Sequence, residues 1–215
     1  GGSLYFFTEN TALGITQASN VSFIICTAPL LTTILSLLFY KSEKASKGLI
    51  YGSLLALMGV GLIVFNGSFV LKISPIGDLL TLLAALSWAF YSLIIKKMAG
   101  RYPTVFITRK IFFYGVLTIL PAFLLHPLHP DTAVLLQPAV LFNLLFLAVL
   151  ASLICYVLWN VVLKQLGTVR ASNYIYLNPL VTMIASFLIL DEKITLVALG
   201  GAACIVCGVY WAEKK

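Results

Sequence analysis

Ionisable side chains are rare inside the long apolar stretches of this sequence. Glu9 is the one acidic residue well inside such a stretch, and Asn10 follows it. A carboxylate at that place is costly to keep in a membrane, so it is a functional candidate by default. Glu9 could carry a proton or hold the ammonium group of a ligand, and Asn10 is a second candidate for substrate binding. The alternative is that it lies at the outer end of its segment, at the membrane interface.

Polar side chains recur every four residues in a later apolar stretch. The series is Tyr174, Asn178, Thr182 and Ser186, which would share one face of a regular helix. Such a face can hydrogen-bond a small ligand that enters a cavity, or it can bind another helix. Further aromatic and amide candidates for the same cavity are Trp88, Tyr91, Tyr156, Trp159 and Asn160.

Two prolines interrupt apolar stretches near mid-depth. Pro179 follows Asn178, and Pro29 holds the matching position in an earlier stretch. A proline inside a helix removes one backbone hydrogen bond and frees the carbonyl four residues before it, here that of Ile175 and that of Ile25. We therefore predict that both prolines act as hinges beside a ligand cavity.

Motifs for catalysis or for a cofactor do not stand out. The sequence has no nucleophile elbow, no phosphate loop and no His-Glu pair at metal spacing on a helix. His126 and His129 stand beside Asp131 in a Pro-rich loop, where we expect solvated side chains and no metal site. The four cysteines all fall in apolar stretches, which favours packing over a disulfide framework. We expect no enzyme activity and no cofactor.

The elements that must position these residues follow from composition. Of the 215 residues, 61% are hydrophobic and 10% are charged, against about 25% charged in soluble domains. Seven segments reach the length of about 20 residues that a membrane-spanning helix needs. We predict an all-α polytopic membrane bundle in contact with lipids. The apolar segments are 3–14, 19–40, 48–66, 76–98, 106–125, 138–163, 171–190 and 195–212.

Basic residues are distributed unequally between the two sides of the predicted membrane. The net charge is +7, but the basic residues separate apolar segments and form no patch suited to nucleic acid. Twelve lie in alternate connections and at the C-terminus, and two, Lys72 and Lys193, lie on the opposite side. Because Lys and Arg concentrate in cytoplasmic loops, the C-terminus is expected in the cytoplasm.

An internal duplication relates the two proline-containing stretches. The eight residues 13–20 read LGITQASN, and residues 166–173 read LGTVRASN, about 150 residues later. Five predicted spans separate these equivalent points, so the second copy is inverted. Inverted repeats are typical of secondary transporters. We interpret 1–66 as the last three spans of the first repeat and 76–213 as the complete second repeat, and we expect about two further spans before Gly1.

Paired glycines form part of the same duplication. Gly52 and Gly59 match Gly201 and Gly208, and the members of each pair are two turns apart on one helix face. Small residues at such spacing favour close helix packing, and they are also compatible with a homodimer.

The order of these motifs resembles the drug/metabolite transporter superfamily, and within it the EamA family. Four features are similar to that family: the repeated ASN motifs, each followed by a proline, Glu43, the LDE motif at Leu190–Glu192, and the glycine-rich closing spans. The resemblance implies ten helices in two inverted five-helix repeats, of which eight are present here. It also implies export of amino acids, other metabolites or drugs across the bacterial inner membrane.

Three functions remain open from the sequence. The favoured one is a secondary transporter of a small metabolite that works by alternating access. The second is a membrane scaffold or sensor that transports nothing, in which the polar faces only join helices. The third, a membrane enzyme, is disfavoured because no set of His, Asp and Glu residues converges.

The charge distribution generates a test of topology. In a background without native cysteines, Ser46→Cys and Lys215→Cys should react with an impermeant thiol reagent from the cytoplasmic side, and Pro130→Cys from the outside. Labelling of whole cells and inverted vesicles measures this. Reaction of positions 130 and 215 from the same side would contradict the predicted orientation.

Overall fold

The computed structural model describes residues 2–40, 46–65, 74–125, 132–190 and 194–214. Within these ranges the chain is helical and no strand is present. A π-helical stretch, Phe146–Ile154, joins α8 to α9, and a 3₁₀ turn, Tyr174–Leu177, joins α10 to α11. The α-helices are α1 (Gly2–Leu13), α2 (Ala18–Ile25), α3 (Ala28–Phe39), α4 (Lys47–Phe65), α5 (Pro75–Ala99), α6 (Thr104–Leu125), α7 (Thr132–Leu135), α8 (Pro138–Leu145), α9 (Cys155–Leu166), α10 (Thr168–Asn173), α11 (Asn178–Leu190) and α12 (Leu196–Glu213).

Seven helical stretches of the described chain are long and apolar enough to cross a bilayer. They confirm the predicted all-α polytopic architecture, and their ends lie close to the predicted ones. The first predicted segment forms α1, which has 12 residues and is shorter than a span. The stretches are 18–39, 47–65, 75–99, 104–121, 138–166, 168–189 and 196–213.

The spans that contain Pro29 and Pro179 are both broken immediately before the proline. Cys26 and Thr27 form a turn between α2 and α3, and Pro29 then occupies the first turn of α3. The 3₁₀ turn separates α10 from α11, whose second residue is Pro179. A proline is tolerated at a helix start, where its missing N–H has no partner in any case. Each predicted hinge is therefore the start of a new helix.

The prediction that Pro179 leaves the Ile175 carbonyl without a hydrogen bond is wrong. The backbone N–H of Asn178 donates to the Ile175 carbonyl oxygen, three residues back. The 3₁₀ turn shortens the hydrogen-bonding interval from four residues to three, which supplies the partner that Pro179 cannot. The break therefore leaves this carbonyl satisfied.

The described chain packs as two compact units. The first unit comprises Gly1–Leu93 with Leu166–Lys215, and the second comprises Ile94–Gln165. These units do not coincide with the predicted repeats 1–66 and 76–213, because the first unit combines helices of both repeats. The division into repeats thus describes sequence equivalence, and it stays a prediction.

Close backbone contact between α4 and α12 dominates the first unit. A Cβ atom built on Gly208 would lie 2.5 Å from the Ala56 nitrogen and 2.6 Å from the Gly52 carbonyl oxygen. One built on Gly201 would lie 2.7 Å from the Gly59 carbonyl oxygen. These distances are too short for any side chain, so the two helices approach closely only because all four positions are glycine. The glycine faces of α4 and α12 pack against each other within the chain, and the homodimer stays a prediction.

The contacts of the glycine pair are reciprocal. The predicted repeat equates Gly59 with Gly208 and, at the same offset, Ala56 with Ile205. A Cβ on Gly59 would lie 2.8 Å from Ile205, and one on Gly208 would lie 2.5 Å from Ala56. If each residue is replaced by its equivalent in the other repeat, the contact of Gly59 with Ile205 becomes the contact of Gly208 with Ala56. This is the pattern that a two-fold relation between inverted repeats would produce.

The core of the first unit joins the two helix breaks. Cys26 from the first break and Tyr176 from the second lie in one buried cluster with Val60, Ile205 and other apolar residues. Tyr176 has no exposed surface. Both breaks are thereby packed against the α4–α12 pair.

Two glycines on α12 give a matched test of this packing. Gly208→Ala should lower the melting temperature in detergent, because overpacking costs about 1–3 kcal/mol. Gly200→Ala is the control, since nothing lies within 4 Å of a Cβ built there. It should leave stability unchanged or raise it, as replacing a helical glycine does. Equal melting temperatures for the two variants would contradict the close approach.

Candidate functional site

A cavity of about 520 Å³ lies within the first unit. Its walls come from α1, α2, α4, α11 and α12, with Ile175 of the 3₁₀ turn and Ile194. Most of the lining is aliphatic, which suits an organic molecule better than a hydrated ion. The polar side chains that line it are Tyr5, Glu9, Ser19, Ser22, Asn178 and Thr182.

The cavity borders both helix breaks. Ile25 and Cys26 line it at the break before Pro29, and Ile175 lines it at the break before Pro179. Pro179 itself is also part of the wall, whereas Pro29 is buried. Broken helices that meet at a cavity are the arrangement from which transporter sites are built.

The structure brings together four of the residues singled out in the sequence. Glu9, Asn178, Pro179 and Thr182 all line the cavity. Asn178 and Thr182 are four residues apart on α11 and therefore lie on one face of that helix. Glu9 faces the same space from α1. The cavity wall therefore carries a carboxylate, an amide and hydroxyl groups.

Tyr174 does not extend this polar face, contrary to the expected series. It is exposed, and it does not line the cavity. The 3₁₀ turn that contains it has 3.0 residues per turn instead of 3.6, so a spacing of four residues no longer returns to the same side. The side chain of Ser186 lies outside the described part of the chain.

Asn10, Trp88 and Tyr91 belong to the first unit but do not line the cavity. Asn10 is exposed, and its amide donates to the Phe6 carbonyl oxygen of its own helix at 2.8 Å. Trp88 stands behind the wall, with its ring centroid 5.3 Å from that of Tyr5 and 5.4 Å from that of Tyr91. These two aromatic residues thus support a lining residue.

Tyr5 is the functional candidate that sequence reasoning missed. Its hydroxyl donates to Oε1 of Glu9 at 2.9 Å, and both residues line the cavity. The sequence does contain an indication of this contact, because Tyr5 and Glu9 are four residues apart and side chains at that spacing meet on a helix.

The remaining candidates lie in the second unit, where they pack between helices. Asn160 is almost completely buried, and its Nδ2 donates to Oγ1 of Thr108 at 2.9 Å. The Tyr156 ring lies 5.5 Å from that of Phe112. Trp159 is half-buried. For Asn160, this contact matches the alternative role of joining helices.

Metal-ligating side chains do not converge in the described chain. No group of three or more His, Cys, Asp and Glu residues is present there. His126, His129 and Asp131 lie outside the described residues.

The seven apolar helical stretches of the described chain indicate a multi-pass membrane protein, and its cavity borders two broken spans. Comparison with known protein families identifies the family of this chain. The model of the EamA-like transporter family matches residues 1–65 and 75–212. The chain belongs to this family, within the drug/metabolite transporter superfamily.

Known relatives carry transporter names. A protein of Archaeoglobus fulgidus named "Uncharacterized transporter" is 30% identical over all of this chain and 73% of its own length. A "Probable amino-acid metabolite efflux pump" of Salmonella typhimurium is 29% identical over 80% of this chain and 60% of its own. A pump of the same name from Escherichia coli is 24% identical over 93% of this chain and 69% of its own.

A solved structure has the same fold. It is titled only as the crystal structure of a protein, and it superposes with a TM-score of 0.86 at 18% identity. The superposition covers 99% of this chain and 73% of that one.

The contact between Asn160 and Thr108 can be measured by a double-mutant cycle. We expect Asn160→Ala and Thr108→Ala each to lower the free energy of unfolding, with a coupling of about 0.6 kcal/mol, the mean for such bonds between membrane helices. Thermal or denaturant unfolding of the two single variants and the double variant gives the value. Strictly additive effects would show that this hydrogen bond contributes nothing to stability.

Proposed function

We propose that this protein is a secondary transporter that exports a small metabolite, an amino acid or a drug-like compound, by alternating access. We place it in the bacterial inner membrane with its C-terminus in the cytoplasm. The observation that carries the proposal is the cavity bordered by both proline-broken spans. The names of the Salmonella and Escherichia relatives favour the direction of export and the amino-acid class.

The cavity supplies the binding step. Its volume of about 520 Å³ falls in the range of about 300–1,000 Å³ that holds a small organic ligand. Aliphatic walls would bury the body of the substrate, while Asn178 and Thr182 would fix its polar groups by hydrogen bonds. Asn178 and Thr182 are both exposed, so a substrate could reach them without unfolding a helix.

The broken spans supply the conformational step. In each of them, a short segment lies on one side of the break and a longer helix on the other. Rotation at the turn before Pro29, or at the 3₁₀ turn before Pro179, would move one part of the cavity wall relative to the rest. Because the repeats are inverted in the proposed topology, motions at the two breaks would open opposite faces of the membrane.

Asn178 provides the test. If it binds substrate, Asn178→Ala should weaken substrate affinity by one lost hydrogen bond, about 0.5–1.5 kcal/mol, and leave the melting temperature nearly unchanged. Val181→Ala on the same helix is the control, since Val181 is exposed and does not line the cavity. Affinity, proteoliposome transport and thermal unfolding are measured on one preparation of each variant.

The opposite result would favour a membrane scaffold or sensor. In that case Asn178→Ala lowers the melting temperature while substrate affinity holds, as expected for an amide that only joins helices. Absence of substrate-dependent flux in proteoliposomes, for a protein that binds its ligand, would contradict transport directly.

A further inference from the structure

Tyr5 and Glu9 form a hydrogen-bonded pair in the cavity wall, and the proposed function assigns them no role. The Tyr5 hydroxyl donates one hydrogen bond to the carboxylate, at 2.9 Å. A carboxylate has two oxygens with about four acceptor positions between them. One bond from Tyr5 therefore orients the group and leaves most of its accepting capacity open. Because both residues line the cavity, that capacity is available to a ligand.

The ring of Tyr5 is itself held in place. Trp88 packs against it with ring centroids 5.3 Å apart and an interplanar angle of 52°. Tyr91 packs against Trp88 in turn, with ring centroids 5.4 Å apart. Tyr91 is buried, so the stack is anchored in the interior of the first unit. The hydroxyl of Tyr5 is consequently presented to Glu9 from a fixed ring. Fixed donors orient a binding group without losing much conformational entropy when the ligand binds.

The chemistry of this pair selects a cation. A carboxylate forms a charge-assisted hydrogen bond with an ammonium group, and the face of an adjacent aromatic ring attracts the same group. The rest of the wall is mostly aliphatic, and it would bury an apolar body attached to the amine. The neutral amide of Asn178 can complement a carbonyl or hydroxyl group elsewhere on the ligand.

We propose that Tyr5 and Glu9 form an amine subsite in the cavity, which binds the protonated amino group of a small organic amine with an apolar body. Glu9 contacts the ammonium group. Tyr5 is the positioning residue that orients the Glu9 carboxylate, and its ring forms the adjacent wall. This inference rests on the proposed function, since it names the substrate class for the same cavity.

Three matched probes test the subsite by isothermal titration calorimetry on the detergent-solubilised chain. Phenethylamine carries the ammonium group, N-acetylphenethylamine carries the same ring without charge, and phenylalanine adds a carboxylate. We expect phenethylamine to bind at least about tenfold more tightly than its acetylated form, the effect of one charge-assisted bond. Phenylalanine should bind more weakly than phenethylamine, because its carboxylate would lie close to that of Glu9. Of the two classes in the proposed function, the subsite therefore favours the drug-like amine over the amino acid.

Variants assign the effect to residues. Glu9→Gln keeps the shape of the side chain and should abolish the preference for phenethylamine over its acetylated form. Tyr5→Phe keeps the ring and its stacking but loses the orienting bond, so it should reduce that preference by about twofold to tenfold. Thr11→Ala is the control on the same helix: Thr11 is exposed, and its hydroxyl donates to the Phe7 carbonyl oxygen at 2.7 Å. It should leave the preference unchanged.

The outcomes separate cleanly. Equal affinity for the amine and its acetylated form, a preference that survives Glu9→Gln, tighter binding of phenylalanine, or no binding of phenethylamine would each overturn the amine subsite. A Tyr5→Phe variant that folds and keeps the full preference would remove Tyr5 from its positioning role and overturn the pair as stated. The wild-type probe comparison decides the central claim even if a variant fails to fold.

The same probes distinguish this proposal from the proposed function. Selective binding of phenethylamine without its transport into or out of proteoliposomes would support the subsite and contradict transport. Transport of another substrate by a protein that does not discriminate between amine and acetylated amine would support transport and overturn the subsite.

Discussion

The backbone contact between α4 and α12 is the constraint on which the first unit depends. Lipid tails are as apolar as leucine, so no hydrophobic effect drives these helices together, and their association relies on close packing. The contact of Gly52 with Gly208, and that of Gly59 with Gly201, brings the two backbones to a separation that no side chain would allow. Both broken spans then pack against α4 through α2 and α11. The positions of the α2 and α11 walls therefore follow from the glycine contact.

The cavity and the helix breaks are parts of one packing arrangement. Cys26 and Tyr176, one from each break, share a buried cluster with Val60 of α4 and Ile205 of α12. A change of conformation at either break would thus displace residues at the contact between α4 and α12, because a close-packed interior transmits displacement. The hinges, the cavity and the helix pair belong in a single mechanism for that reason.

The sequence alone allows the spans and their breaks to be predicted, but not the conformation inside a break. A bilayer admits helices and closed barrels only, so apolar length is enough to place the spans. A proline removes one backbone hydrogen bond without specifying what replaces it. Helix α6 continues through Pro121, whereas the spans of Pro29 and Pro179 break. The 3₁₀ turn at Tyr174–Leu177 is one of several conformations that a break can adopt. It places Tyr174 outside the cavity lining, and it gives the Ile175 carbonyl oxygen a hydrogen bond from the Asn178 N–H. Tyr5 was missed because a tyrosine four residues from a glutamate is common on helices that bind nothing.

Two asparagines in apolar spans illustrate what separates a helix contact from a cavity residue. Asn160 lies within the regular helix α9, is 1% exposed and donates to Thr108 on α6. Asn178 begins α11 after a break, and it lines the cavity. An amide in a regular helix finds its partner on its own helix, as Asn10 does, or on a neighbouring one, as Asn160 does, because the lipid offers none. At the break before Pro179, the cavity lies beside the Asn178 amide. In this chain, the amide directly before a proline therefore lines the cavity, whereas the Asn160 amide within a regular helix joins two helices.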